Sequence, residues 1–493
     1  MLFNSWGYLL FLLIAVPVHW LLPHRFRVVF ICGASLLFYG MWRWEFCFLI
    51  LLSAIVDFAC ARRIHLTKNR FTRKVWLTTS LSVNLGLLAY FKYTYFFVDN
   101  LGIAAELLGA DQFSGSTIGL SIILPLGISF YTFQTISYTI DVYRKQIGPS
   151  DSFPTFFAYV IFWPQLIAGP ILRANEVMPQ LRSHRYLDMN FMSKGMGLVI
   201  IGLFKKTVLA DNIAPYVDFW FGLDPGILTA LDVWNATFLF GLQIYFDFSG
   251  YSDIAIGSAL LLGLKFPDNF NWPYMATSPK DFWERWHISL SSWIRDYLYL
   301  PLTGQKFRGK STGGISVAVE QSGKDKRTKA LLLTWAIMGL WHGAAWTFIL
   351  WGLFHSAIIL LYRFFGPLRR LASKQPIAGW MIMLPIAMSG WIFFRAASVD
   401  QALIMYGTLL NPFEYEISPM IAGLSNPTAG WSYLWNALIM SGMVGLYVIQ
   451  NSADRMSIPS WFSVSMRTSY LTVMVFTIVL FMQQNQQFIY FQF

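Results

Sequence analysis

The sequence predicts an all-α polytopic membrane protein, and three observations carry that prediction. Charged residues make up 12% of the 493-residue chain and hydrophobic ones 56%, with mean hydropathy +0.50. Soluble domains carry about 25% charged residues, so too little polar surface remains here to cover a core. Apolar runs of about 20 residues recur, the length a helix needs to cross hydrocarbon. The loops between them alternate in charge, as orientation in a membrane requires.

The apolar segments lie near 6–22, 28–41, 44–60, 75–98, 117–140, 192–210, 231–263, 330–362, 377–394, 433–450 and 468–485. The first lacks a basic leader and an A-x-A site, so it reads as an uncleaved span. A further stretch, 154–172, is broken by Pro164, Gly169 and Pro170 in "WPQLIAGPI" and reads as a re-entrant or discontinuous helix. The run 330–362 holds no Asp, Glu, Lys or Arg and is too long for one ordinary span. Gly339, Gly343 and Gly352 interrupt it, so a helical hairpin is expected.

Basic residues cluster at 25–27, 62–74, 144–145, 173–194, 265–329, 363–374 and 455–467. Acidic loops alternate with them, around Asp99 and Glu106, Asp211 to Asp232, and Asp400 to Glu416. Basic loops stay in the cytoplasm. Both termini are then expected in the periplasm, with the protein in a bacterial inner membrane. The net charge of +11 belongs to this one face rather than to a nucleic-acid surface, and it suits an anionic cytosolic substrate. Residues 1–493 read as a single integral-membrane domain, with 304–329 a flexible cytoplasmic loop rich in Gly, Lys and Ser.

Residues 304–311, "GQKFRGKS", fit the P-loop spacing. That motif works only between a buried strand and a helix. Here "YLYLPLT" precedes with a proline, and "TGGISVAVEQSGKD" is a poor helix start, so a basic loop is the simpler reading. Cys32, Cys47 and Cys60 show neither zinc spacing nor a disulfide framework, and no metal is expected. No HExxH or GxSxG stretch occurs.

The chain has seven histidines. Most sit at segment ends, where a polar ring costs little; His342 in "MGLWHGAAW" does not. At about 1.5 Å per residue it lies roughly 18 Å from position 330, near mid-membrane. An ionisable group there is costly and points to function, although a histidine linking two helices would occupy the same place. His287 lies in "SPKDFWERWHISLSSWIRDYLYL", residues 278–300. Ser278, Pro279 and Asp281 signal a helix start there. An amphipathic surface helix is expected, with His287 facing inward beside Trp283 and Trp286. In "YFDFSGYSDIAIG", Asp247 and Asp253 must pair, protonate or face a wet cavity. A histidine acting as general base on a hydroxyl, with an activated acyl group as donor, is a chemistry these residues could carry.

"FDFSGYSDIAIG", "DNFNWPY", "DFWERWHISLSSWIRDYLY", "LWHGAAWTFILWG" and the closing "FIYFQF" together resemble the membrane-bound O-acyltransferase (MBOAT) family. The likeness is strongest to its bacterial polysaccharide O-acetyltransferase branch, the alginate O-acetylation type, and runs through most of the chain. The resemblance implies a ring of about 11 tilted helices, with re-entrant and amphipathic surface helices, around a central tunnel. It implies that His342 is the catalytic histidine and His287 the assisting one. Asp247, Tyr251, Asp253, Trp283, Arg285 and Trp341 are the candidate substrate contacts beside them. Acetyl-CoA is the implied donor. The implied partners are a periplasmic SGNH-type protein, an exported polysaccharide and membrane lipid, with no nucleic acid. Two departures stand out: the long connection "PLTGQKFRGKSTGG", and a serine ending "WGLFHS" where glycine is usual. Three other readings remain open at this level: transfer to a lipid-linked or teichoic-type acceptor, a transporter, or a scaffold of an export machine.

Overall fold

A computed structural model describes residues 2–109, 113–115, 119, 121–167, 169–304, 324–417, 427–453, 460–481 and 488–489. All regular structure among them is helical. Of the expected flexible loop 304–329, which includes the P-loop-like stretch, residues 305–323 lie outside the described residues, and 324–329 are corrected: they already form the start of the helix Lys324–His342. Among the described residues four helices are long and apolar enough to cross a membrane: His24–Arg43, Trp346–Phe364, Pro376–Arg395 and Pro427–Ile449. Other long helices carry internal charge. Ala230–Leu261, with 32 residues, holds Asp232, Asp247 and Asp253. At about 1.5 Å per residue it is still long enough to span.

The chain forms two compact units. The first comprises Met1–Val199 and Tyr251–Asp268. Its first helix, Trp6–Leu21, begins where Ser5 Oγ accepts the Tyr8 N–H, and it leaves Leu10, Leu13 and Ile14 exposed as a lipid-facing stripe. Three helices, Glu45–Leu66, Arg70–Leu88 and Ile128–Tyr143, are tied together by side chains around buried Asp57. Its carboxylate accepts from Ser80 Oγ, from Asn84 Nδ2 at 2.9 and 3.0 Å, and from Thr139 Oγ1 at 3.4 Å. Asn84 Oδ1 in turn accepts from Ser53 at 2.7 Å and Thr135 at 3.2 Å. Such links hold helices where lipid offers no hydrophobic drive for association.

Two expectations for this unit are met or corrected. The broken stretch is two short helices, Phe153–Ile161 and Trp163–Leu166, as the prolines predict. The segment expected over 117–140 becomes helical only at Ile128, because Pro125 and Gly127, with φ +70°, set a turn before it. A side chain at Gly127 would also collide with the Leu166 carbonyl.

The second unit comprises Ile200–Gly250 and Asn269–Phe493. The run 330–362 is a hairpin of two helices, Lys324–His342 and Trp346–Phe364, as expected. A Cβ on Gly339 would overlap the Phe348 carbonyl oxygen, and one on Gly352 the Trp335 carbonyl oxygen. Glycine is what lets these backbones touch. The expected single helix over 278–300 is corrected. It starts as predicted, with Ser278 Oγ accepting the Asp281 N–H and Asp281 accepting the Thr277 N–H. It stops at Arg285, restarts as Ile288–Ile294 and ends in a π-helical turn, Arg295–Tyr299. The cause is a distant segment. Asn271 N–H donates to the Arg285 carbonyl and Ile288 N–H to the Asn269 carbonyl, both at 2.9 Å, which pulls the backbone out of the helix. Asp296, on the π-helical turn, is buried and accepts from Arg295 Nε at 2.8 Å.

Candidate active site

His342 ends the first helix of the hairpin, and the chain turns through Gly343, Ala344 and Ala345. The Phe348 ring fills the space that a Cβ on Gly343 would need. His342 is 3% exposed. Trp341 and Trp351 meet its ring edge-on at 4.8 Å and Phe394 at 5.3 Å. Trp351 is shared with a second buried imidazole, His355, at 4.8 Å. His355 lies within the helix Trp346–Phe364, so His342 is not the one histidine placed away from a segment end, as the sequence reading had it. Trp283 joins the same cluster, 5.0 Å from His355, 4.6 Å from Trp335 and 5.8 Å from Trp351. The result is an aromatic box around two imidazoles, a wall that displaces water and strengthens any polar contact made inside it.

His287 sits at the break between the two short helices, with φ +42°. A non-glycine residue there costs about 1–2 kcal/mol, and such a conformation persists only where its surroundings enforce it. Asn269 supplies that enforcement. Its Oδ1 accepts the Ser289 N–H at 3.2 Å and the Ser289 hydroxyl at 2.8 Å, and it lies 3.1 Å from His287 Nδ1. An oxygen that already accepts a backbone N–H can only accept from Nδ1, so the proton sits on Nδ1 and Nε2 carries the lone pair. Burial pushes the imidazole down to about 3, so it is neutral at physiological pH. Trp341 lies 6.5 Å from His287 and 4.8 Å from His342, so one indole contacts both histidines.

The remaining predicted residues separate. Asp247 is buried in an ion pair with Lys206 Nζ at 2.9 Å, and Lys206 also meets Asp211 at 2.7 Å. The other Asp247 oxygen accepts the Ile489 N–H at 2.7 Å. Of the outcomes expected for an intramembrane carboxylate, Asp247 takes pairing. Arg285 is half-buried; it pairs with Asp281 at 2.6 Å and donates to the Asn271 carbonyl at 3.3 Å. Tyr251 and Asp253 belong to the first unit. There the Tyr251 hydroxyl donates to Asn4 at 3.2 Å and its ring stacks on Phe3 at 5.5 Å.

Sequence reasoning did not single out Lys206, Asn269 or His355, which the structure sets against the predicted residues or in the aromatic cluster around His342. Lys206 had a visible signal, a cation inside the apolar segment 192–210. The structure adds how it is presented, on a π-helical stretch, Phe204–Ala210. Asn269 stood in "DNFNWPY", but only the fold brings it to His287.

Comparison with known proteins identifies the family. The profile of the MBOAT, membrane-bound O-acyltransferase family, matches residues 144–399. The chain is 37% identical over 425 residues to "Probable alginate O-acetylase AlgI" of Azotobacter vinelandii, covering 85% of this chain and 80% of that one. It is 36% identical over 398 residues to "Peptidoglycan O-acetyltransferase" of Helicobacter pylori, covering 75% and 71%. "Teichoic acid D-alanyltransferase" of Bacillus subtilis is 28% identical over 270 residues, covering 54% and 65%. A helical membrane chain with a histidine buried at a hairpin turn, matched by this profile over more than half its length, is an O-acyltransferase and belongs to the membrane-bound O-acyltransferase family.

Proposed function

We propose that the protein transfers an acetyl group from acetyl-CoA, on the cytoplasmic side of a bacterial inner membrane, to a hydroxyl outside, for O-acetylation of an exported polysaccharide. The observation that carries this reading is His342, an imidazole 3% exposed at the turn of a hairpin that holds no Asp, Glu, Lys or Arg over 330–362. His342 removes the proton from the acceptor hydroxyl. The alkoxide oxygen attacks the thioester carbonyl, the C–S bond breaks, and the thiolate leaves with the proton that His342 returns. An ester and free CoA thiol result. His287, neutral and fixed by Asn269, orients donor or acceptor across Trp341. Trp341 and Trp283 supply ring surface to the acyl path. A tunnel reaching His342 from both faces is part of the reading, as are periplasmic termini.

The names of the relatives support a cell-envelope polymer as final acceptor. In this reading the immediate acceptor is a hydroxyl on a periplasmic SGNH-type partner, which passes acetyl on. A lipid-linked or teichoic-type acceptor is favoured instead by the D-alanyltransferase relatives. The test is polymer-bound acetyl in cells carrying His342→Ala at parental protein levels. Loss of acetylation is expected; unchanged acetylation overturns the reading. Acetyl that persists on a lipid-linked precursor when the polymer synthase is deleted identifies the second acceptor class.

A further inference from the structure

We propose that Phe488 and Ile489, near the C-terminus, are a positioning segment for His287, clamped by Asp247. The proposal rests on the role given above to His287. Asp247 sits inside a long helix in a largely apolar unit, where a lone carboxylate is expensive. Lys206 offsets that cost from one side, at 2.9 Å. The oxygen on the other side is spent on a backbone amide, the Ile489 N–H, at 2.7 Å. A charge-assisted bond of this kind is among the stronger hydrogen bonds a protein makes, and it fixes main chain rather than a side chain. Ile489 is thereby seated, 3% exposed, and Phe488 beside it is fully buried.

The neighbouring ring completes the connection. Phe488 lies 5.7 Å from Phe248, the residue next to Asp247 on the same helix. Phe248 meets the imidazole of His287 edge-on at 4.6 Å, and Phe270 backs it at 5.1 Å. Asn269 holds His287 at Nδ1, and the edge-on contact with Phe248 adds a second constraint on the orientation of the ring. Phe488 and Phe270, both packed on Phe248, hold that contact in place. Lys206, Asp247, the Ile489 amide, Phe488, Phe248 and His287 form one continuous chain of contacts. Asp247 is on this account a positioning residue and not a substrate contact.

The test uses the full-length protein in native membranes with its acceptors, acetyl-CoA as the probe, and turnover and KM measured separately. Ile489→Pro removes the N–H and leaves the buried charges in place. It is expected to lower turnover at saturating acetyl-CoA by about tenfold or more, with KM nearly unchanged, because misplaced groups cost rate more than binding. Ile489→Val keeps the N–H and is expected to recover turnover to within about twofold. In a His287→Gln background Ile489→Pro should cost less than about twofold further, since residues acting as one unit are not additive. Phe488→Leu keeps an apolar side chain and provides the same cycle should the proline variant fail to accumulate. Parental turnover in both tail variants overturns the proposal, as does a loss of equal size with and without His287. If His287→Gln alone leaves turnover unchanged, the role given to His287 falls, and this inference falls with it.

Discussion

Two buried titratable residues, Asp57 in the first unit and His342 in the second, occupy opposite kinds of surroundings. Asp57 is ringed by hydroxyls and an amide from two neighbouring helices, which ties those helices to its own. His342 is ringed by the edges of Trp341, Trp351 and Phe394. A carboxylate saturated by donors is a fastener: its hydrogen bonds are consumed in holding the fold. On the proposed function, the His342 imidazole, set against three aromatic rings, does the proton chemistry of the reaction. Both cost free energy to bury; on the proposed function Asp57 serves the fold and His342 the reaction.

The largest expected effects break this comparison most directly. His342→Ala should lower acetyl transfer by about 10²–10⁴-fold, the range for losing a general base, with the protein still folded and inserted. Asp57→Ala should do the reverse: several kcal/mol of stability lost, since its donors are left unsatisfied, but near-normal turnover per folded molecule. Quantitative acetyl release and membrane protein level, measured together, separate the two; matching losses of both in either variant would erase the distinction.

Gly352→Val comes next. Its side chain would meet the Trp335 carbonyl oxygen and wedge the hairpin apart. Overpacking of this kind costs about 1–3 kcal/mol, and displacement of His342 should add a loss of turnover that a purely thermal measurement misses.

A third expectation concerns pH. His287 binds a proton near 3 when folded and near 6.5 when unfolded. The unfolded chain therefore takes up the proton first, and stability at this site is fully present above about 6.5 and declines as pH falls toward 3. Thermal unfolding in detergent at pH 7 and pH 5 should show that decline, and His287→Gln should reduce its slope. The smallest effect is expected at Arg285. Its pair with Asp281 is half-exposed, so Arg285→Ala should change stability by less than about 1 kcal/mol. A large loss of turnover there would place Arg285 at the donor rather than at the surface.

Much of the fold was legible because its determinants are local. Absence of charge over 330–362, with glycines inside it, announced the hairpin, and two prolines announced the break at 154–172. The helix start at Ser278 was equally readable, since cap chemistry is set within four residues. The break at His287 was not, because it is imposed by Asn269, eighteen residues away. For the same reason the sequence showed that Asp247 needed a partner but not that Lys206 and a C-terminal amide would share it. His355 was overlooked because its burial comes from Trp283, Trp335 and Trp351 converging in space, which no spacing rule reports.

The main-chain contact at Gly339 and Gly352 has a consequence for how such a protein can diversify. The height of the imidazole is inherited from two touching backbones, whereas the box around it is built from replaceable rings. Substituting a tryptophan would reshape that box and leave the imidazole where it was. Descendants could then trade one acyl size or one acceptor for another by small steps, none of which requires the machinery to be re-sited.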